Sequence, residues 1–194
     1  MSMSIRLSLG LVHHPVVDRL GTTVATNVTN YDIHDIARAC QVFGVTNYYI
    51  ITPMKEQLSF VARVLEHWNV GYGAKFNPMR RTALSPVKTV ESIEEAIRDW
   101  GANTCVIGTS AREVCAEKLI GFNQLKSKLN EVNQRKDQQS YMLLFGTGFG
   151  LHESVLKRCD LVLEPIRGRP PKDYRHLSVR SAVSICLDRL LGTW

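Results

Sequence analysis

The sequence predicts an α/β domain, a mostly parallel sheet with helices on both faces. Two observations carry that prediction. Apolar, β-branched or aromatic runs recur at Ile5–Val12, Asn47–Thr52, Pro86–Val90, Thr104–Gly108, Tyr141–Phe145 and Asp160–Leu163, each of strand length. Helical patterns fill most of the gaps, and strands alternating with helices pair in parallel and are covered on both sides.

In chain order, Ile33, Ile36, Ala37 and Cys40 repeat at i, i+3, i+4, i+7, and Leu58, Val61, Ala62 and Leu65 repeat the pattern. The stretch Gly71–Ser85 holds two glycines and a proline with Lys75, Arg80 and Arg81, and reads as a long loop. Helices are expected at Glu91–Trp100 and Glu117–Val132, followed by a polar connector at Asn133–Ser140. A short helix should follow at His152–Arg158. The last helix should open at Ser178 as N-cap, with Val179, Ala182, Val183, Cys186, Leu187 and Leu190 as its apolar stripe.

Length fits one domain over 1–194, since 194 residues can bury a core without staples. With 24 Lys+Arg against 18 Asp+Glu the net charge is +6, which permits a polyanionic partner without demanding one. The cysteines Cys40, Cys105, Cys115, Cys159 and Cys186 are scattered, with neither a C-x-x-C pair nor zinc spacing. They read as small buried residues in a reducing compartment, so no metal is expected. The apolar run at Ile5–Val12 is too short for a signal peptide or a membrane span, and the cytoplasm is the expected location.

The densest local signal is Leu143-Leu-Phe-Gly146-Thr-Gly148-Phe-Gly150-Leu151, a buried strand breaking into alternating glycines before a helix. Missing Cβ atoms there serve a tight turn or a close ligand approach, and the spacing alone does not choose. A Rossmann site is disfavoured by position. That motif follows the first strand, whereas here too little chain remains after Gly150 for the other strands. The late glycines count equally against a nucleotide-binding enzyme of flavodoxin-like topology.

Downstream lie Asp160-Leu-Val-Leu-Glu-Pro165-Ile-Arg-Gly168 and Leu177-Ser-Val179, two further loops leading into the last helix. Upstream are Asp32-Ile-His-Asp-Ile-Ala-Arg38-Ala-Cys-Gln-Val-Phe43-Gly44, Leu11-Val-His13-His-Pro15 and Val106-Ile-Gly108-Thr-Ser-Ala-Arg112. Together these resemble the motifs of the SPOUT superfamily of RNA methyltransferases, most closely its small stand-alone bacterial members with unassigned RNA targets. The resemblance implies a C-terminal deep trefoil knot at about 141–194, a rare exception to the rule against threaded chains. It implies S-adenosylmethionine as cofactor, held by Gly108, Thr109, Phe145, Gly146, Thr147, Gly148, Glu164, Ile166, Gly168, Leu177, Ser178 and Val179. Plain core packing explains Ile166 and Leu177 equally well. A homodimer with its sites at the interface is implied too; Ile185 and Leu191 fit either that contact or burial within one subunit.

Arg38 matches the arginine that acts at the target hydroxyl in ribose-methylating relatives. Alternatively it is a surface residue paired with Asp35 or Asp32. Two departures stand out. Asp32 replaces the asparagine of ribose methylases, and Gly146-Thr-Gly148 lacks the usual acid of the second motif. Asp32 is therefore a candidate general base, and both a ribose 2'-OH and a base nitrogen of rRNA or tRNA stay open as acceptors. The missing acid also leaves room for a non-catalytic RNA-binding module on the same fold. From Arg167 to Arg180 five cations (Arg167, Arg169, Lys172, Arg175, Arg180) face the single acid Asp173. Phosphate contacts are expected from Arg167, Arg169, Lys172 and Arg175, extended by Arg80 and Arg81. Tryptophan and tyrosine show no interleaving of the kind single-strand binders use. His13, His14 and His34 cluster near the first motif without an assigned role.

Overall fold

The computed structural model describes residues 5–101, 103–112, 116–135, 139–172 and 174–193. Asp173 and Cys115 lie outside the described residues, as does the centre of the connector expected at 133–140. The elements run β1 (Leu7–Val12), β2 (Val16–Val17), β3 (Thr23–Val24), α1 (Asn30–Phe43), β4 (Asn47–Ile51), α2 (Lys55–Asn69), α3 (Tyr72–Phe76), α4 (Pro78–Leu84) and β5 (Val87–Val90). They continue with α5 (Ile93–Trp100), β6 (Thr104–Thr109), a 3-10 turn at Ala116–Lys118, β7 (Leu119–Ile120), α6 (Phe122–Arg135), β8 (Ser140–Gly146), α7 (Glu153–Arg158), β9 (Leu161–Leu163) and α8 (Val179–Leu191).

Seven strands form one sheet in the order β5-β4-β1-β8-β6-β9-β7, and every recorded pairing within it is parallel. All six apolar runs of the sequence are strands of this sheet. A parallel sheet covered on both faces should be apolar throughout, and β1 and β4 show it, with Leu7, Leu9, Leu11, Tyr48, Ile50 and Ile51 essentially inaccessible. One core lies under α1, α6 and α8; the other, smaller, lies under α5 and α7 around Val12, Ile51, Trp100, Met142, Leu144 and Val155. Helices therefore cover both faces.

The order of the strands carries the fold's main consequence. β8 enters between β1 and β6, and β9 between β6 and β7, so late strands insert among earlier ones. Their carboxyl ends then stand side by side with that of β6.

Three local expectations are corrected. The segment 71–85 is not a loop but two short helices: Asn77 caps α4 by accepting from Arg80 N, and Pro78 at the first helical position supplies the fixed φ a helix start needs. The helix expected from Glu117 begins only at Phe122, because the chain first adds β7 beside β9. α6 continues to Arg135, and Ser140, placed in the connector, is the buried first residue of β8. The final helix is as expected: Ser178 accepts from Ser181 N, Val183, Cys186, Leu187 and Leu190 are buried, and Val179 and Ala182 half-buried. Cys40, Cys159 and Cys186 are free and buried, Cys105 half-buried; burial pushes the thiols of Cys40 and Cys186 up to about 12 and those of Cys105 and Cys159 to about 11. Among the described residues no helix is long and apolar enough to cross a membrane, and no His/Cys/Asp/Glu group could hold a metal.

Candidate active site

A pocket of about 400 Å³ opens where β6, β8 and β9 end. Open parallel sheets place ligands at such carboxyl ends, where crossovers diverge. Its floor and walls are Thr109–Ala111 at the end of β6, Phe145–Gly150 at the end of β8, Leu163, Glu164 and Ile166 at the end of β9, and Arg175–Arg180 at the start of α8. Thr26, Asn27, Thr29 and Asp32 complete it from the chain entering α1.

The glycine turn is built to be narrow. A Cβ on Gly146 would sit 2.4 Å from Leu151 N and 2.7 Å from Gly150 C, so the loop folds back on its own backbone. Gly148 has φ +60°, and its Cβ would press to 3.0 Å on Val17 O. The missing Cβ atoms of Gly146 and Gly148 thus serve the tight turn itself.

Thr147, standing where the second motif usually has an acid, is held by two hydroxyl contacts. It donates to Val12 O at 3.1 Å and shares a hydrogen bond with Thr26 Oγ1. Thr26 Oγ1 in turn bonds His13 Nδ1 at 3.0 Å. His13 is fully buried, and its Nε2 has no hydrogen-bond partner. Burial lowers its pKa to about 4, opposed by the Asp32 charge and a hydrogen bond to Thr26, so the ring is neutral at pH 7.

Asp32 is the buried charge of the site. Its Oδ2 accepts from Thr29 N (3.2 Å) and Thr29 Oγ1, while Thr29 Oγ1 accepts from Asp32 N, a reciprocal cap at the start of α1. Its Oδ1 accepts from Arg180 Nη1 at 2.7 Å. Arg180 also lies 3.8 Å from Asp35 and stacks 5.7 Å from the Tyr31 ring. With both oxygens engaged, Asp32 is a firm anchor for a guanidinium.

Of the sequence-predicted cofactor residues, Thr109, Phe145, Gly146, Thr147, Gly148, Glu164, Ile166, Leu177, Ser178 and Val179 line this one pocket. Gly108 and Gly168 are not among the lining. A Cβ on Gly108 would meet Leu156 Cδ2 at 2.9 Å and Cys159 Sγ at 3.0 Å, so that glycine serves the packing of α7. Asp32 lines the pocket; Arg38 is exposed on α1 and does not. Arg175 lines it, Arg167, Arg169 and Lys172 are exposed beyond it, and Arg80 and Arg81 lie on α4. Ile185 is half-buried, and Leu191 packs against the main core.

Sequence reasoning missed Thr26 and the role of Arg180. Arg180 sits 148 positions from Asp32, and no local pattern announces a pair across that distance. His176, at the start of the loop the resemblance assigns to the cofactor, also lines the pocket.

S-adenosylmethionine fits this lining. Phe149 and Leu177 remain 45% and 43% exposed at the mouth, apolar area for a ligand to cover. Ile166, Val179 and Ala182 give an apolar wall, and the glycine turn leaves backbone accessible.

Residues 6–192 match a family described as SAM-dependent RNA methyltransferase. A tRNA (guanine-N(1)-)-methyltransferase of Oleidesulfovibrio alaskensis is 43% identical over 190 residues, 96% of this chain and 42% of that protein. The chain thus spans well under half the length of the first curated relatives it matches. An uncharacterized protein of Aquifex aeolicus is 33% identical over 95% of this chain and 87% of its own length. Among solved structures, TrmJ from Z. mobilis superposes with TM-score 0.59 at 16% identity, over 98% of this chain and 70% of that one. The A. aeolicus TrmH/SpoU tRNA modifying enzyme gives 0.53 at 14%, over 98% and 76%. At those identities the structures speak for the fold alone. The family match covers nearly the whole sequence, and the chain belongs to the family of SAM-dependent RNA methyltransferases.

Proposed function

We propose that this chain transfers a methyl group from S-adenosylmethionine to a nucleotide of tRNA presented at the Asp32–Arg180 rim of the pocket. The single observation that carries the reading is the convergence of the β6, β8 and β9 ends, the α8 start and that ion pair on one concavity. Late strands inserted between earlier ones are in keeping with the knot at about 141–194 that the resemblance implies.

The residues that would hold the cofactor are Thr109, Phe145–Gly148, Glu164, Ile166 and Leu177–Val179. When bound, it supplies an electrophilic methyl on a sulfonium. What the chain adds is placement and charge. Arg180, oriented by Asp32, offers planar N–H donors to a phosphate or to a hydroxyl losing its proton. Neutral His13, through Thr26 and Thr147, fixes the turn beneath the reacting centre. Glu164 accepts from Phe122 N at 2.7 Å, tying the β9 end to α6.

Two acceptors have support. The guanidinium favours a ribose 2'-hydroxyl, whose alkoxide it would stabilise. The names of the two longer curated relatives favour guanine N1. The family match favours catalysis over a binding-only module. We further propose a homodimer in which Arg38, exposed on α1, serves the partner's pocket, with Arg167, Arg169, Lys172 and Arg175 meeting phosphates. The test is incubation of purified chain with unmodified tRNA or rRNA and labelled S-adenosylmethionine, followed by nucleoside mass spectrometry. A methylated tRNA nucleoside is expected and its mass fragments separate ribose from base; no transfer to either RNA by folded chain that binds the cofactor would overturn the reading.

A further inference from the structure

The segment joining α2 to β5 combines exposed apolar side chains with cations and no acid. From His67 to Val90 there is no Asp or Glu, while Lys75, Arg80, Arg81 and Lys88 fall within it. Tyr72, Phe76 and Met79 are 76%, 77% and 82% exposed, and the rings of Tyr72 and Phe76 lie near-parallel, 6.1 Å apart, one turn apart on α3. Exposed apolar side chains grouped in one patch mark interaction surfaces.

The cations divide by role. Arg80 is half-buried, its guanidinium 5.3 Å over the Trp68 ring and donating to His34 Nδ1 at 3.3 Å. Lys88 is ion-paired with Asp99 at 2.6 Å. Lys75 and Arg81 are exposed beside the aromatic pair. Arg80 thereby pins α4 to the first turn of α1, two residues from Asp32. Gln57 of α2 reaches the pocket's own rim, donating to Asn27 Oδ1 (3.4 Å) and accepting from Val28 N (2.7 Å). α4 is therefore tied to α1, the helix that carries Asp32 into the pocket, and the start of α2 to the pocket's Asn27.

We propose that this face, Tyr72 and Phe76 with Lys75 and Arg81, binds single-stranded RNA flanking the nucleotide delivered to the pocket. The inference rests on the reading of the chain as an RNA methyltransferase and assigns it a substrate class. Bases stack on exposed rings whatever their sequence, and flanking cations track the phosphates. A second copy docked here isologously would set cations of like sign against each other, which disfavours a self-contact. The sequence shows no regular aromatic interleaving; α3 creates the pairing by placing positions 72 and 76 on one side of a helical turn.

The test is fluorescence anisotropy of the full chain with a labelled oligouridine, beside a duplex RNA of equal length. Tyr72→Ala/Phe76→Ala should weaken oligouridine binding at least about tenfold. Lys75→Gln/Arg81→Gln should weaken it too and flatten its dependence on salt. Titration with S-adenosylmethionine should be unchanged in both variants, which separates this surface from the pocket. Unchanged oligouridine affinity in the aromatic variant, or equal loss on duplex, would overturn the proposal. So would a concentration-dependent dimer in wild-type sedimentation that the aromatic variant abolishes. Loss of oligouridine binding in a chain that transfers no methyl would support the surface and count against the enzymatic reading alone.

Discussion

Apolar side chains on the β8–β6–β9 flank of the sheet line a concavity, whereas on the flank carrying α2–α4 Tyr72, Phe76 and Met79 stand in solvent. The first flank is rigid in its covalent choices: Gly146 and Gly148 admit no side chain without moving backbone. The second is permissive, since exposed rings on a short helix can change without disturbing a core. A small molecule of fixed shape asks for the former, and a polymer of varied sequence tolerates the latter. Between them stands α1, whose first turn carries Asp32 toward the pocket and His34 toward Arg80.

This contrast can be broken by substitution, and the largest effect belongs to the turn. Gly148→Val forces a β-branched residue into φ +60° with its Cβ on Val17 O, and should abolish S-adenosylmethionine binding measured by calorimetry. Retained binding would place the cofactor elsewhere. Next comes the ion pair. Arg180→Ala should lower methyl transfer by roughly a hundredfold or more with cofactor affinity within a few-fold. It leaves the Asp32 side chain, 5% exposed, without its cation, and should cost about 2 kcal/mol in urea unfolding. Arg180→Lys should restore part of the stability and less of the rate.

Stability separates the flanks further. Leu143→Ala in the sheet core should cost about 2–5 kcal/mol, while Tyr72→Ala/Phe76→Ala should stay within about 1 kcal/mol of wild type. A large loss in the surface pair would mean that the rings pack rather than wait for a ligand.

A pH effect belongs to the pocket floor. His13 titrates at about 4 when folded against 6.5 unfolded, so the unfolded chain binds the proton more readily. Its contribution is complete above pH 6.5 and is lost as pH falls to 4, up to about 3 kcal/mol. His13→Asn should flatten that part of the profile in denaturant titrations at pH 7 and pH 4.5, whereas an unaltered slope would show that His13 is not the group lost. The smallest effect is chemical: Cys40, Cys159 and Cys186 should resist thiol reagents in the native chain and react on unfolding.

Much of the fold was legible because a sheet buried on both faces must be written in continuous apolar runs. The six such runs are its six longest strands. The pieces that escaped are those too short to carry a period: β2, β3 and β7 at two residues each, and α3 and α4 at five and seven. Gly71, Gly73 and Pro78 made 71–85 look irregular, yet Pro78 starts a helix rather than ending one. In the candidate site the loops after β8 and β9 were readable as chemistry concentrated in one stretch. Arg180 was visible as a cation, but its pairing with Asp32 depends on α8 returning to α1, which no local pattern encodes. Gly108 shows the opposite failure, a glycine in a motif that the structure uses for helix packing.

The account stands on the pocket holding the cofactor, and calorimetric titration of the purified chain with S-adenosylmethionine tests it most directly. Saturable binding of one molecule per chain is expected, lost in Gly148→Val and kept in Arg180→Ala. No measurable heat from a wild-type chain that is folded by circular dichroism would contradict it.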